Sequence, residues 1–268
     1  MRTHAFLLVN PRSGREKPEP EGLAGAARER GIEAHVLRAG EDARALAAAS
    51  GAEVVGIAGG DGSLAPVALA AMEREAGFVC VPFGTRDHFA RDVGLDHRDP
   101  IAALAAFTDG SERRIDVGRL GGDRLFLNNV SPGVYASLVH RRERHRRRGE
   151  ALAGVRALAQ VARHRHHLHA RVNGTELAAR VLVVGNNRYE VDFFTLGARE
   201  RLDTGRLQLW AAAGWLPTAW EEQTAPRFHV ELARASVPAA IDGEAALLEP
   251  PLELESLPRA LRLLVPKR

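Results

Sequence analysis

The chain has 268 residues, in which 37 lysines and arginines stand against 34 acidic residues. Only Lys17 and Lys267 are lysines and 35 residues are arginines, which argues against phosphate loops and Schiff-base sites that depend on a lysine. A single cysteine, Cys80, excludes an intramolecular disulfide framework and a cysteine-rich zinc site, and it indicates a reducing compartment.

The positive charge of the chain is concentrated in one stretch. Between His140 and Arg171 ten arginines stand against two glutamates, although the net charge of the whole chain is only +3. Such a patch fits a nucleic acid, an anionic membrane or phosphates, and the alternative is an exposed loop and helix face. The first apolar run, Ala5–Val9, is too short for a signal peptide or a membrane span, so we expect a soluble cytoplasmic protein.

The first half of the chain alternates short apolar strands with helical stretches. This rhythm predicts a doubly wound, mostly parallel sheet with helices on both faces, and ligands of such sheets bind beyond the carboxyl ends of the strands. The predicted elements are strand Phe6–Val9, helix Glu21–Arg30, strand Ile32–Leu37, helix Asp42–Ser50, strand Val54–Ala58, helix Leu64–Glu75 and strand Phe78–Val81.

After about residue 119 the pattern changes to short strands joined by turns. The predicted elements are strand Arg124–Asn129, helix Ala151–Arg163, a hairpin of His167–Val172 with Thr175–Val184 around Asn173-Gly174, and strands Arg206–Ala211, Phe228–Leu232 and Leu252–Leu254. We therefore predict an α/β domain over residues 1–120 and a β-rich antiparallel domain over residues 121–268. The tail, residues 258–268, could return as a strand to the first domain.

A glycine-rich loop follows the third predicted strand, with the sequence Gly-Gly-Asp-Gly-Ser at residues 59–63. Glycines let the backbone approach a ligand closely, and the free amides and dipole at a helix start favour an anion. The carboxylate of Asp61 is repelled by phosphates unless it binds a divalent cation or accepts a proton from an attacking hydroxyl. A tight turn in which Asp61 caps the helix is the structural alternative.

Polar loops follow two other strands of the same predicted sheet. Asn10, Arg12 and Ser13 come after the first strand, and Thr85 and Arg86 come after the fourth. Hydroxyl and guanidinium groups suit phosphate, so three such loops at one sheet edge predict a nucleotide-type cleft. Asp242-Gly243-Glu244, far along the chain, is by itself a turn signal.

These motifs together resemble the diacylglycerol kinase catalytic-domain family, which includes bacterial lipid kinases and sphingosine kinases and is distantly related to NAD kinases. The resemblance runs from about Phe6 to Pro266 and implies a nucleotide-binding α/β domain, a β-sandwich-like second domain and an active site in the cleft between them. It is carried, in order, by Asn10–Gly14, Gly59–Ser63, Pro82–Leu95, Ile115–Gly118, Phe126–Gly133, Val184–Asn187, Leu202–Leu207 and Asp242–Glu244.

The resemblance also implies roles for individual residues. Asp61 matches a metal-network or base residue, and Asp242 and Glu244 match the acidic pair from which the general base for a lipid hydroxyl is drawn. ATP and Mg²⁺ are the implied cofactors. The implied phosphate pocket is formed by Asn10, Gly59, Gly60, Gly62, Ser63, Gly84 and Thr85.

Two departures from the family pattern leave alternatives open. Asp87-His88 stands where lipid kinases usually have Asn-Asp, and Thr204 stands where many relatives place a magnesium-binding aspartate, which leaves Asp203 as a weak metal candidate. An ATP-dependent lipid kinase acting on a diacylglycerol-like alcohol is the leading hypothesis. The alternatives are an NAD or sugar-phosphate kinase, or a degenerate module that binds a nucleotide or lipid without catalysis.

The expected partners follow from the same interpretation. We expect a lipid or amphiphilic alcohol as substrate and contact of Arg141–Arg148 with an anionic membrane surface, so that the cytoplasmic protein can attach peripherally. Nucleic acid is not expected as a partner, because no recognisable nucleic-acid-binding module is present. A homodimer remains one option for the oligomeric state.

Overall fold

The computed structural model describes residues 4–13, 18–133, 168–179, 181–189, 191–192, 195–196, 198–212 and 220–267. These residues belong to two compact units. The first comprises Met1–Val117, Ala198–Asp203 and Pro258–Arg268, and the second comprises Gly118–Gly197 and Thr204–Leu257. The arginine stretch Arg141–Arg148 and the predicted helix Ala151–Arg163 lie outside the described residues.

The first unit contains a parallel sheet in the order β2-β1-β3-β4-β18. Its central strands are buried along their whole length, which is typical of a parallel sheet covered on both faces. The strands that begin in this unit are β1 (Ala5–Val9), β2 (Glu33–Val36), β3 (Val54–Gly59), β4 (Gly77–Pro82) and β5 (Gly110–Leu120).

Helices and one 3-10 turn, Pro11–Ser13, connect these strands. Asp42 caps the second helix as predicted, since its carboxylate accepts hydrogen bonds from the backbone N–H groups of Arg44 and Ala45. The helices are α1 (Pro20–Glu29), α2 (Ala43–Ala49), α3 (Asp61–Glu73), α4 (His88–Asp92), α5 (Pro100–Ala103) and α6 (Ala106–Asp109). Helix α3 begins at Asp61, three residues before the predicted start at Leu64, so the sequence-based boundary was wrong there.

The second unit is built from antiparallel strands. One sheet has the order β14-β13-β10-β7-β16-β17, and β8, β9 and β15 pair in another sheet with the first residues of β18. The strands are β6 (Arg124–Phe126), β7 (Asn129–Pro132), β8 (Leu168–Val172), β9 (Thr175–Ala179), β10 (Val181–Asn186), β11 (Val191–Asp192), β12 (Thr195–Leu196), β13 (Leu207–Ala212), β14 (Trp220–Ala225), β15 (Arg227–Leu232), β16 (Val237–Ile241), β17 (Glu244–Leu248) and β18 (Leu252–Pro266).

Apolar side chains from both sheets form one core in the second unit. Val184 and Leu209 come from strands of one sheet, and Phe126, Phe228 and Leu254 come from strands of the other. Period-two alternation places such residues on the inner face of each sheet. The arrangement is a sandwich, as the family resemblance implied.

Two tight turns join neighbouring strands of the second unit. Asn173 and Gly174 both have positive φ between β8 and β9, and Asp242 and Gly243 do so between β16 and β17. Positive φ at both central residues is the requirement of the type I′ hairpin, for which Asn-Gly and Asp-Gly are favoured. The predicted hairpin around residues 173 and 174 is therefore confirmed, but its second strand ends at Ala179, and Val181–Asn186 forms β10 in the other sheet, so the predicted bound at Val184 was wrong.

The predicted fold class is confirmed: a mostly parallel α/β sheet is combined with a separate antiparallel sheet. The tail Pro258–Arg268 belongs to the first unit, an option that the sequence left open, whereas the assignment of Ala198–Asp203 to that unit differs from a single boundary after residue 120. In the part of the chain that the structure describes, no helix combines the length and the apolar character that a membrane span requires.

Candidate functional site

Three loops of the first unit meet beyond the carboxyl ends of β1, β3 and β4. The side-chain amide of Asn10 donates to Ser63 Oγ at 3.2 Å, and the backbone N–H of Gly60 donates to Ser13 Oγ at 3.3 Å. Ser63 Oγ in turn donates to the Gly60 carbonyl at 3.0 Å. These bonds hold the loop after β1 against the glycine loop after β3.

Gly59 and Gly84 lie where a side chain has no room. A Cβ atom at Gly59 would lie 2.5 Å from Ser63 Oγ, and one at Gly84 would lie 2.5 Å from Gly60 Cα. Gly60 is the N-cap residue of α3 and has no side chain to cover the helix start. The first-turn amides and the helix dipole are therefore presented at a backbone surface suited to an anion.

Asp61 connects this glycine loop to α4. One carboxylate oxygen accepts the backbone N–H of His88 at 3.1 Å, and the other accepts that of Phe89 at 2.9 Å. His88 and Phe89 are the first two residues of α4, so Asp61 caps that helix from a distant loop. The sequence left open that Asp61 caps the helix that follows it, α3. In the structure the Asp61 side chain caps α4 instead.

Asp87 shapes the loop between β4 and α4. Its backbone is left-handed, with φ of 48°, and its carboxylate accepts the backbone N–H of Gly84 at 2.8 Å. Its side chain is buried, whereas neighbouring Thr85 is exposed. An asparagine could make the same bond through its amide oxygen, so the geometry of this loop does not require the unusual carboxylate.

The environment of the glycine loop shifts the pKa values of two neighbouring groups, the His88 imidazole and the Cys80 thiol. Burial lowers the pKa of His88 below 6.5, the guanidinium groups of Arg91 and Arg86 lower it further, and Asp61 opposes them. Burial also raises the pKa of the Cys80 thiol well above its usual value, with a further contribution from Asp61. His88 is thus neutral at neutral pH, and Cys80 is a protonated thiol within the sheet.

The segment Ala198–Asp203 of the first unit is attached to α4 by a buried ion pair. Arg199 Nε donates to Asp92 Oδ2 at 2.7 Å, and the backbone N–H of Arg199 donates to Asp92 Oδ1 at 3.3 Å. The exposed fractions of the two side chains are 0% and 4%. In the same segment, the Leu202 carbonyl accepts a hydrogen bond of 2.7 Å from the backbone N–H of Asp116.

Asp203, the weak metal candidate, lies at the end of this segment. Its carboxylate accepts hydrogen bonds from Arg201 Nε and Nη2 at 3.1 and 3.0 Å, and the residue is exposed. Within the described ranges, no group of three or more histidine, cysteine, aspartate or glutamate residues is placed to hold a metal ion.

The acidic pair of the second unit has two different environments. Asp242 is buried, and its carboxylate accepts the backbone N–H groups of Leu127, Asn128 and Asn129 at 2.8, 2.7 and 3.0 Å. Glu244, the first residue of β17, is exposed. Asp242 therefore fastens the β16–β17 turn to the chain between β6 and β7, and so fixes the backbone position of Glu244.

A polar network that includes the buried side chains of Asn186 and Asn187 continues from this turn to the loop before β13. The Asn186 side chain donates to the Leu127 carbonyl at 3.3 Å, and the neighbouring Asn187 side chain donates to Asn186 Oδ1 at 3.4 Å. Asn187 Oδ1 accepts both the backbone N–H and the hydroxyl of Thr204, at 2.9 and 2.6 Å. Thr204 is thus a hydrogen-bond donor at the position where the family resemblance implied a magnesium-binding aspartate.

The structure therefore brings together part of the predicted set. Asn10, Gly59, Gly60, Ser63 and Gly84 contact one another or share hydrogen-bonded neighbours in the first unit, and Gly62 lies in the first turn of α3. The role of Ser13 as acceptor for Gly60 was signalled only by a hydroxyl in a short polar loop. Sequence reasoning missed Asp92 and Arg199, which are 107 residues apart.

Comparison with known proteins agrees with this architecture. Residues 4–120 match the family described as diacylglycerol kinase catalytic domain. The chain is 37% identical over 135 residues to a probable lipid kinase YegS-like protein of Pseudomonas aeruginosa, covering 48% of this chain and 43% of that protein. It is 29% identical over 168 residues to a diacylglycerol kinase of Mycobacterium tuberculosis, covering 58% and 54%.

The fold is also similar to solved structures over nearly its whole length. A crystal structure of a diacylglycerol kinase from Bacillus anthracis matches with a TM-score of 0.71 at 18% identity, covering 98% of this chain and 97% of that one. At that identity the likeness concerns the fold.

The chain spans about half the length of the curated relatives it matches. The resemblance identified from the sequence motifs is confirmed, since residues 4–120 match the family described as diacylglycerol kinase catalytic domain.

Proposed function

We propose that the protein is an ATP-dependent, lipid kinase-like phosphotransferase that moves the γ-phosphate to the hydroxyl of a diacylglycerol-like amphiphilic alcohol. The observation that carries this proposal is the backbone surface at the first turn of α3, which Gly60 leaves uncovered by a side chain and which Gly84 approaches closely. Such a surface admits phosphate oxygens to backbone amides, and a lysine is not needed to bind them. The names of the relatives, lipid kinase and diacylglycerol kinase, support the choice of acceptor.

The proposed reaction needs the acceptor proton to be removed. The acceptor oxygen forms a bond to the γ-phosphorus, the bond between that phosphorus and the β–γ bridging oxygen breaks, and ADP leaves. We assign the acceptance of the hydroxyl proton to Glu244, whose carboxylate is exposed, and we assign the positioning of its turn to Asp242. Asp61 positions the phosphate loop through α4 in the same account.

Magnesium is part of this proposal as a counter-ion of the nucleotide. Mg²⁺ in such sites is held by substrate phosphates with one or two carboxylates and several waters, and it neutralises charge on the transferring group. Asp61 is the carboxylate adjacent to the proposed phosphate position. Asp203 could contribute a ligand to Mg²⁺ only after its ion pair with Arg201 breaks.

A phosphate-transfer assay with three acceptors tests the proposal. Purified protein is incubated with γ-labelled ATP and magnesium, together with diacylglycerol vesicles, NAD or a sugar phosphate in separate reactions. We expect label in the lipid alone, with loss of transfer in Asp61→Asn and Glu244→Gln. Label in NAD or the sugar phosphate would favour the related kinases, and ATP binding without transfer would favour the non-catalytic module.

We also propose that Arg141–Arg148 attaches the enzyme to anionic membranes. The support is the charge of this stretch, because each basic residue near such a surface contributes about 1 kcal/mol. Replacement of its arginines by glutamine should abolish co-sedimentation with phosphatidylserine vesicles, while phosphatidylcholine vesicles serve as the control. Unchanged co-sedimentation would contradict the attachment and leave the proposed reaction intact.

A further inference from the structure

We propose that Asp92 and Arg199 are positioning residues for the nucleotide site, because they lock α4 and thereby the phosphate loop. This inference rests on the proposed function, since it assigns the pair to the site that would bind ATP. Asp92 lies in the motif Pro82–Leu95 without a role assigned to it there, and Arg199 lies outside all of the motifs.

The first step is that α4 depends on outside contacts. It has only five residues, His88–Asp92, and helices this short are not stable by themselves. At its N-terminus the amides of His88 and Phe89 donate to Asp61, the first residue of α3. Any displacement of α4 is therefore transmitted to the residue that begins the proposed phosphate-binding helix.

The second step is that Arg199 holds the opposite end of α4. Asp92 is the last residue of the helix, and its two carboxylate oxygens accept the Nε and the backbone N–H of Arg199. The bond from the backbone fixes residue 199 itself and not merely its side chain. A cation at a helix C-terminus also complements the helix dipole.

The third step is that segment 198–203 has its own anchor. The Leu202 carbonyl accepts the Asp116 backbone N–H, and the Asp116 carboxylate accepts the Arg259 backbone N–H at 2.8 Å. Arg199 thus joins α4 to a stretch that is bonded to β5, which in turn is bonded to β18.

The burial of the pair favours a geometric role. Two charges removed from water often stabilise a protein no better than apolar side chains of similar volume, and their retention has been linked to conformational specificity. The Arg199 and Asp92 side chains are 0% and 4% exposed, so both charges are removed from water and the pair is a buried ion pair of this kind. Their replacement should therefore affect the placement of α4 more than the stability of the fold.

Two variants separate positioning from stability. Arg199→Lys keeps the charge and loses the Nε donor, and the double variant Asp92→Leu with Arg199→Met replaces the pair by apolar side chains. The matched control is the double variant Glu73→Leu with Arg44→Met, which removes an ion pair of 2.5 Å between α2 and α3 at the surface of the same unit. Melting temperature, hydrogen exchange of residues 87–93 and the Kd for ADP with magnesium are measured for each.

We expect faster exchange of the α4 amides and about a tenfold rise in the Kd for ADP in both Asp92–Arg199 variants, including the apolar one that keeps its melting temperature. The control should keep the wild-type exchange and Kd. Wild-type Kd and exchange in a folded apolar variant would overturn the inference while the proposed function stands. A wild-type protein that binds no ADP would instead contradict the proposed function, and the pair would then have no nucleotide site to position.

Discussion

The tight approach of Gly84 to Gly60 makes Gly84→Ala the most direct perturbation of the proposed phosphate site. The added Cβ would lie 2.5 Å from both Asp87 Oδ1 and Gly60 Cα, and 3.2 Å from the Gly60 nitrogen. Ordinary carbon contacts begin near 3.5 Å, so the two loops must separate by about 1 Å. Overpacking of this kind costs about 1–3 kcal/mol.

The consequence of this separation should be larger for binding than for stability. We expect Gly84→Ala to lower the melting temperature by roughly 3–10 °C and to raise the Kd for ADP by about 10- to 100-fold. Differential scanning calorimetry and isothermal titration with ADP and magnesium measure both effects on the same sample.

Gly25→Ala is the matched control, because Gly25 lies in α1 and a Cβ there would have no atom within 4 Å. It should stabilise the protein by about 0.5–1 kcal/mol through helix propensity and leave the Kd unchanged. A Gly84→Ala protein with the wild-type Kd would refute the conclusion that the meeting of these loops forms the phosphate site.

Three further predictions concern polar and titratable side chains. Asp242→Asn should lower the free energy of unfolding by about 1–3 kcal/mol, because one amide oxygen replaces two carboxylate oxygens as the acceptor for three backbone donors. Glu244→Gln should change the free energy of unfolding by under about 0.5 kcal/mol and abolish phosphate transfer. Urea denaturation and the transfer assay measure these two effects. Thr204→Val should lose about 0.5–1.5 kcal/mol in urea denaturation, because one donor to Asn187 disappears. The lowered pKa of His88 means that the unfolded chain binds more protons below pH 6.5, so acidification should lower the melting temperature of wild type more than that of His88→Gln.

The pH prediction has an internal control of opposite sign. Hydrogen bonding to Glu253 raises the pKa of His229, so its contribution is present below pH 6.5 and is lost as the pH rises through the raised value. His229→Gln should therefore reduce the fall of melting temperature on the alkaline side. Identical pH profiles for wild type and both histidine variants would contradict the assigned environments.

Local rules account for the parts of the fold that the sequence predicted well. The turn at Asn173-Gly174 follows from the need for positive φ at two consecutive residues, and the Asp42 cap follows from its carboxylate before an alanine-rich helix. The start of α3 was misplaced because Gly62 and Ser63 are poor helix formers, whereas in the structure the glycine loop runs directly into the first helical turn.

Long-range pairing limits what could be predicted of the remainder. Strand β14, Trp220–Ala225, has consecutive polar residues and lacks the alternation of a half-buried strand, so only its pairing with β13 reveals it. The hydrogen bonds from α4 to Asp61 could not be predicted either, because a carboxylate in a glycine loop indicates a catalytic or metal-binding role and a local helix cap equally well. The carboxylates of Asp92 and Asp242 accept hydrogen bonds from donors more than 100 residues away in the sequence.

The central claim is transfer of the γ-phosphate to a lipid hydroxyl, and the most direct measurement is the stoichiometry of that transfer. Labelled lipid phosphate and released ADP are quantified in one reaction of the wild-type protein with γ-labelled ATP, magnesium and diacylglycerol vesicles. We predict one lipid phosphate for each ADP, and neither product from Glu244→Gln. ADP release without labelled lipid, or no turnover by a folded protein that binds ATP, would contradict the proposed function.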